Sequence, residues 1–167
     1  AALPFKLTGA QQRVAREIAR DMSRSEPMLR LVHGDVGSGK TVVAALAALV
    51  AIESGFQVAL MAPTELLAEQ HLRNFRDWLA PLGIEPVWLA GKVQGKARQA
   101  AMTALQGPAQ LVIGTHALMQ DAVAFRKLGL VITAQETITQ FARQSEPRAS
   151  ADSGERTPGV RVGEYLM

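Results

Sequence analysis

The sequence predicts an α/β domain in which helices cover both faces of a parallel sheet. Short apolar runs alternate with longer amphipathic runs from about residue 9 to residue 132, and glycine or proline separates most of them. Strands that alternate with helices favour parallel pairing through crossovers. We therefore expect residues 1–132 to form this domain. Residues 133–167 are rich in Ser, Glu, Arg, Pro and Gly, and we expect them to be a divergent, disordered tail.

The first half of the domain has clear boundaries. Thr8 can cap a first helix, Pro27 ends it, and Gly55 follows the second helix in the position where helices often end. Pro63 and Thr64 open the third helix. The predicted helices of this half span residues 9–23, 42–53 and 64–80, and the predicted strands span residues 28–32 and 57–61.

The second half follows the same alternation. Gly107 and Pro108 end its first helix. Its apolar runs are continuous, as expected where both faces of a sheet are covered. The predicted strands span residues 85–89, 110–113 and 128–132, and the predicted helices span residues 94–105 and 117–124.

Composition sets further limits. The 167 residues suit one domain, carry a net charge of +3 and include no cysteine, which excludes disulfides and is compatible with the reducing cytoplasm. The longest apolar run, residues 41–52, is too short to cross a bilayer, so no membrane partner is expected. The chain begins without Met or a signal peptide pattern, and we expect it to be a piece of a longer protein.

A glycine-rich loop follows the first predicted strand. The loop obeys the pattern G-x-x-x-x-G-K-[ST] between a strand and a helix. Glycines bring backbone N–H groups around an anion, and the following helix adds its positive end. A plain glycine turn is the weaker interpretation, because strand, helix and Lys-Thr are all in place. The residues of this loop are Gly34, Asp35, Val36, Gly37, Ser38, Gly39, Lys40 and Thr41.

Four other segments carry a family resemblance. They read FKLTGAQ at residues 5–11, APTELLAEQH at residues 62–71, LAGK at residues 89–92 and IGTHAL at residues 113–118. With the phosphate loop, this series resembles the first, RecA-like P-loop motor domain of superfamily 2 DNA helicases, and among them the RecG family. Transcription-repair coupling translocases are the nearest alternative, and the second segment argues against them. The resemblance covers about residues 3–132.

The resemblance implies a role for each matching position. Gln11 would read the adenine of ATP, and the loop of residues 34–41 would hold its phosphates. Lys40 and Thr41 would serve catalysis, and Thr41 would also ligate Mg²⁺. Small residues at strand ends would let backbone N–H groups approach DNA phosphates. The residues that would touch the DNA backbone are Pro63, Thr64, Glu65, Gly91, Lys92, Gly114, Thr115 and His116.

Simpler roles stay open for several of these residues. Thr64 is a good helix cap with or without DNA. Gly91 can simply end a strand, and Gln11 can be ordinary helix surface. Trp78 and Trp88 are expected to pack in the core, because single-strand platforms need several exposed aromatic residues.

One segment departs from the family pattern. The strand that ends at Ile132 should run into Asp-Glu-x-His, whose acids hold Mg²⁺ and position the attacking water. This chain has Thr133-Ala134-Gln135-Glu136 instead, and we expect no second motor domain or arginine finger in it. A shifted reading frame is a hypothesis for residues 133–167.

The expected parent activity is ATP-dependent remodelling of branched or forked DNA by a monomeric helicase. The sequence then represents its first motor domain, incomplete at the C-terminal end and inactive alone. The rival interpretation is a nucleotide- or DNA-binding remnant that has lost hydrolysis.

Overall fold

Helices and strands alternate along the chain and contribute to one parallel sheet. A computed structural model describes residues 6–24, 28–32 and 39–134, and the backbone of residues 164–166. The helices are α1 (Gly9–Met22), α2 (Lys40–Glu53), α3 (Glu65–Leu79) and α4 (Gly95–Gln106), with two 3-10 turns at Ala80–Leu82 and His116–Met119. The strands are β1 (Leu29–Leu31), β2 (Gln57–Met61), β3 (Val87–Leu89), β4 (Leu111–Gly114), β5 (Leu128–Thr133) and β6 (Glu164–Leu166).

The strands lie in the order β1-β6-β5-β2-β4-β3, and the pairings are all parallel. The register aligns Met61 with Gly114 on one side and with Thr133 on the other. Parallel strands end at the same edge of a sheet, so the loops after β2, β3, β4 and β5 emerge together. We call this edge the carboxyl edge. It is where ligands bind in open α/β sheets.

The core has two layers because side chains of successive strand residues point to opposite faces. Val58 and Leu60 of β2 pack with α1, α2 and α3 on one face. Ala59 and Met61 of the same strand pack with α4 and the turn His116–Met119 on the other. The sheet is therefore covered on both sides, as the continuous apolar strands predicted.

Local chemistry explains where helices begin and how closely they pack. Thr8 and Thr64 cap α1 and α3 by accepting hydrogen bonds from the backbone N–H groups of Gln11 and Leu67, at 3.2 and 3.3 Å. Both caps confirm the sequence prediction. α2 buries five alanines against the core, and such small side chains allow the helix to lie close to the sheet. The Thr64 cap thus fixes the start of α3 at the carboxyl edge.

Three differences separate the structure from the sequence expectations. The helix predicted for residues 117–124 is the 3-10 turn His116–Met119, in which the Leu118 N–H bonds the Thr115 carbonyl three residues back at 3.0 Å. β5 extends to Thr133, and Ala134 is buried beyond it. Residues 164–166, expected in a disordered tail, form β6 between β1 and β5, where their backbone groups complete two parallel ladders. Residues 135–163 lie outside the described part of the chain.

No helix among the described residues is both long and apolar enough to span a membrane.

Candidate nucleotide and DNA interface

The described residues predicted to bind nucleotide lie where α1 and α2 begin. Gly39 has φ +78°, a left-handed conformation that suits glycine, and it precedes α2. The amide end of Gln11 occupies the space where a Cβ of Gly39 would lie. The structure thus brings Gln11 against the last glycine of the phosphate loop, and Gln11 is half-buried. Ordinary helix surface is therefore not its environment.

Gln11 also completes the start of α1. Its side-chain carbonyl accepts a hydrogen bond from the Thr8 N–H at 2.9 Å, while its own N–H donates to the Thr8 hydroxyl at 3.2 Å. This reciprocal capping box fixes the side chain. The amide nitrogen faces Gly39, so the side chain that the resemblance assigns to the adenine is held beside the start of α2.

The start of α2 fits a phosphate group. Lys40 and Thr41 are its first two residues, both half-buried, and no side chain among the described residues caps this helix end. An α-helix start has unsatisfied N–H groups and a positive dipole end, which attract an anion. The predicted loop positions Gly34, Asp35, Val36, Gly37 and Ser38 lie outside the described residues.

The loops that carry the predicted DNA residues are joined to one another by hydrogen bonds. Ala62 after β2 donates its N–H to the Gly114 carbonyl at 2.9 Å. Thr115 after β4 donates to the Leu89 carbonyl at 3.4 Å, and Ala134 after β5 donates to the Met61 carbonyl at 2.8 Å. The three sequence-predicted DNA segments, residues 63–65, 91–92 and 114–116, consequently meet on the carboxyl edge.

Exposure separates these residues into two groups. Pro63, Thr64, Gly91, Lys92 and His116 are exposed, and Glu65 and Thr115 are half-buried. Gly114 is buried, and a Cβ there would overlap the backbone carbonyl of Leu89. The structure therefore gives Gly114 a packing role between β3 and β4, while the exposed residues can meet a ligand.

One ion pair links two of the predicted DNA segments. The Lys92 ammonium lies 2.8 Å from a carboxylate oxygen of Glu65. The side chain of Lys92 is 87% exposed and that of Glu65 is 30% exposed. The hydrogen bond and the negative charge of Glu65 raise the pKa of Lys92. The ammonium therefore stays protonated to a higher pH than that of an isolated lysine.

Sequence reasoning missed two basic residues on the same edge. α4 begins just after the loop that carries Lys92, with Lys96 exposed in its first turn. Arg98 donates to the Gln120 side-chain oxygen at 2.6 Å, which ties α4 to the segment after His116–Met119. The spacing of Lys92, Lys96 and Arg98, directly after a predicted strand, was the signal available in the sequence.

Thr133 and Ala134, the described residues of the segment where the family pattern has its acidic pair, carry no carboxylate. Ala134 follows β5, is 3% exposed and packs against Ala62 and Ala68. A buried alanine supplies no oxygen for Mg²⁺, which prefers carboxylate ligands. Thr41 is therefore a candidate ligand without its acidic partner among the described residues, and Gln135 and Glu136 lie outside them.

The comparisons with known proteins agree with this arrangement. The sequence model of the DEAD/DEAH box helicases matches residues 8–138, a range that includes α1, the start of α2 and the carboxyl edge. The chain belongs to the DEAD/DEAH box helicase family. It is 67% identical over 133 residues to the ATP-dependent DNA helicase RecG of Escherichia coli (strain K12). It is 62% identical over 133 residues to the protein of the same name from Haemophilus influenzae. These findings confirm the RecG resemblance.

The helicase-family chain spans about a fifth of these relatives. The matches cover 79% of this chain and 19% of each relative. A structure of RecG bound to a three-way DNA junction aligns with a TM-score of 0.80 at 39% identity, over 98% of this chain and 21% of that one. The RecA-like parallel sheet expected from sequence is confirmed by this alignment.

Proposed function

We propose that the chain supplies the first motor domain of an ATP-dependent DNA helicase that remodels branched DNA. The observation that carries this proposal is the set of hydrogen bonds from Ala62, Thr115 and Ala134, which gather the loops on one edge. The relatives named RecG, and a RecG structure with a three-way junction, support branched DNA as the substrate of the parent protein.

DNA contacts are assigned to the exposed part of the carboxyl edge. Gly91 has open space around its Cα and Thr64 lies at a helix start, so DNA phosphates can approach backbone N–H groups there. Lys92, Lys96 and Arg98 add positive charge. Contacts of this kind neutralise phosphates and read no bases, which suits a motor that moves along any sequence.

ATP is assigned to the start of α2. Gln11 would meet the base, Gly39 would allow close approach of the phosphates, and Lys40 would neutralise their charge. Mg²⁺, when bound, would offset charge on the β- and γ-phosphates, and Thr41 is the described residue that could hold it. Each of these residues positions the nucleotide, and none of them activates water.

The domain boundary, oligomeric state and location complete the proposal. Ala134 packs against Ala62 and Ala68, and β6 lies in the same sheet between β1 and β5, so the proposed motor domain takes in β6 as well as the residues up to the predicted boundary at 132. We place a monomer in the cytoplasm. Sedimentation of the 167-residue chain at the mass of one copy is the expected result, and a stable dimer would contradict it.

The nucleotide assignment has a direct test. Lys40→Ala removes the cation at the start of α2 and should abolish most binding of ATP or ADP with Mg²⁺, measured by calorimetric titration. Lys127→Ala is the matched control, since its ammonium lies over the Phe56 ring, 4.5 Å from the centroid. Equal nucleotide affinity for Lys40→Ala and the unmodified chain would contradict the assignment.

The DNA assignment is tested by salt. Binding of mixed-sequence duplexes, followed by fluorescence anisotropy, should be weak and should fall steeply between 50 and 200 mM salt, because bound phosphates release counterions. Duplexes of different sequence should bind alike. Salt-independent affinity, or a strong preference for one sequence, would contradict backbone recognition.

A second candidate function rests on Ala134. Its buried methyl group lies in the segment where the family pattern has its acidic pair, which supports a nucleotide- and DNA-binding remnant without turnover. Both candidates predict binding by the 167-residue chain, and only the helicase motor predicts ATP hydrolysis stimulated by DNA in the longer parent protein.

A further inference from the structure

Glu65 and a DNA phosphate compete for one ammonium group. Lys92 lies on the exposed loop after β3, and its ammonium already contacts the Glu65 carboxylate at 2.8 Å. An oxygen of a DNA backbone phosphate is the same type of acceptor as a carboxylate oxygen. While the pair is intact, the two charges cancel and Lys92 contributes little to the attraction of DNA.

Glu65 is held more firmly than Lys92. It is the first residue of α3, beside the Thr64 cap, where the positive end of the helix favours an acidic side chain. Its side chain is only 30% exposed, whereas that of Lys92 is 87% exposed. The carboxylate is thus a fixed acceptor at the carboxyl edge, and the flexible lysine is the partner that can move.

We propose that Lys92 exchanges between Glu65 and a DNA backbone phosphate. Glu65 then acts as an internal substitute for the phosphate and lowers the affinity of the chain for DNA. This inference rests on the proposed DNA-binding function of the carboxyl edge. The exchange gives a moving domain a specific advantage. When a phosphate leaves, Lys92 returns to Glu65. The free-energy cost of releasing DNA falls because the ammonium is not left without a partner.

The raised pKa of Lys92 is consistent with this exchange, since the ammonium stays charged in both arrangements. The size of the effect follows from exposure. Exposed ion pairs are weak, so breaking this one opposes DNA binding only modestly, by roughly two- to fivefold. Because salt also weakens the competing ion pair, the tighter binding of Glu65→Gln should be most marked at low salt, which makes its salt dependence steeper than that of the unmodified chain.

The chain contains a matched control pair at the other end of the same helix. Arg76 in the last turn of α3 contacts Glu85 at 2.8 Å, and both side chains are exposed. α3 has 15 residues, which places its ends about 22 Å apart. That separation exceeds the screening length of about 8–10 Å in ordinary buffers. Glu85→Gln therefore makes the same change in net charge without acting on Lys92.

The experiment measures anisotropy of a fluorescein-labelled, mixed-sequence 20-base-pair duplex with the full 167-residue chain, from 50 to 200 mM salt. Glu65→Gln should bind roughly two- to fivefold more tightly, with a steeper salt dependence. Lys92→Gln should bind more weakly than the unmodified chain. The double variant should match Lys92→Gln alone, because Glu65 acts through Lys92. Glu85→Gln should match the unmodified chain.

Each other outcome overturns a specific statement. If Glu65→Gln binds like the unmodified chain or like Glu85→Gln, or more weakly than either, the exchange is wrong. If the tighter binding of Glu65→Gln persists in the Lys92→Gln background, Glu65 repels DNA directly and no exchange occurs. If the unmodified chain shows no salt-dependent binding, the proposed function fails, and the exchange fails with it.

Discussion

At the scale of single residues, His71 is a buried group with an electrostatic cost. It lies on the inner side of α3, 6% exposed, and neither ring nitrogen has a hydrogen-bond partner in the described part of the chain. Burial lowers its pKa below the ordinary value of 6.5. The folded chain therefore resists protonation that the unfolded chain accepts.

The sign of the pH dependence follows from this shift. Above about pH 7.5 the ring is neutral in both states and has no effect. As the pH falls below about 6.5 the unfolded chain binds the proton first, so stability decreases until the folded pKa is reached. The slope due to this group is at most about 1.4 kcal/mol per pH unit. His71→Leu should remove this contribution.

Urea unfolding of both proteins between pH 7.5 and 5.5 checks the prediction. The difference in unfolding free energy should shift in favour of His71→Leu as the pH falls. Carboxylates titrate in both proteins and cancel in the comparison. Parallel pH profiles would contradict the assigned cost of the buried ring.

The sequence could single out His71 only by its type and motif. Its burial depends on the face of α3 that meets the sheet, which the spacing of Ala68, His71 and Phe75 indicates. The hydrogen bonds of the buried Gln57 side chain were harder to predict. This side chain bonds the carbonyls of Leu105 and Ala109 at 2.8 and 2.7 Å, and these partners are distant in sequence.

At the scale of elements, two glycines of the carboxyl edge have different roles. A Cβ at Gly114 would overlap the Leu89 carbonyl, whereas a Cβ at Gly91 would have nothing within 4 Å. Gly114→Ala should separate β3 from β4 and destabilise the fold by about 1–3 kcal/mol. Gly91→Ala should change the unfolding free energy by no more than about 0.5 kcal/mol.

Urea denaturation of the two variants checks this pair of predictions. Equal losses of unfolding free energy would show that the close contact between β3 and β4 does not require glycine at residue 114. Gly91→Ala also serves the DNA assignment, because it should keep the fold while its methyl group obstructs phosphates. If the affinity for duplex DNA is unchanged, Gly91 does not contact DNA and only ends a strand, which is the simpler role that the sequence left open.

Element boundaries were predictable where residues with special backbone properties mark them. Thr8, Gly55 and Thr64 each lie at a helix end in the structure, and Gly55 has φ +80°. The 3-10 turn His116–Met119 was predicted as a longer helix, because residue type does not distinguish bonds to the third residue from bonds to the fourth. β6 could not be predicted, since three residues show no period and pairing with β1 and β5 is non-local.

At the scale of the whole molecule, parallel topology explains why the site was largely predictable. The alternation of strands and helices fixes that strand ends share an edge. Motifs that directly follow four different strands must therefore lie close together. The hydrogen bonds of Ala62 and Thr115 show this for the segments after β2, β3 and β4. The contact between Lys92 and Glu65 was not predictable, because it depends on the order of strands and on side-chain reach.

Turnover of ATP by the 167-residue chain depends on groups beyond the phosphate cradle. Hydrolysis needs a held metal ion and an oriented water as well as that cradle. Ala134 buries a methyl group within the segment where the family pattern has its acidic pair. Because general acid–base groups alone contribute about 10²–10⁴ in rate, no ATP hydrolysis stimulated by DNA is expected, even where ATP binds. Phosphate release should be measured with and without duplex DNA, with Lys40→Ala as the background. DNA-dependent release that Lys40→Ala abolishes would mean that another carboxylate, Glu136 being the nearest in sequence, replaces the missing acid.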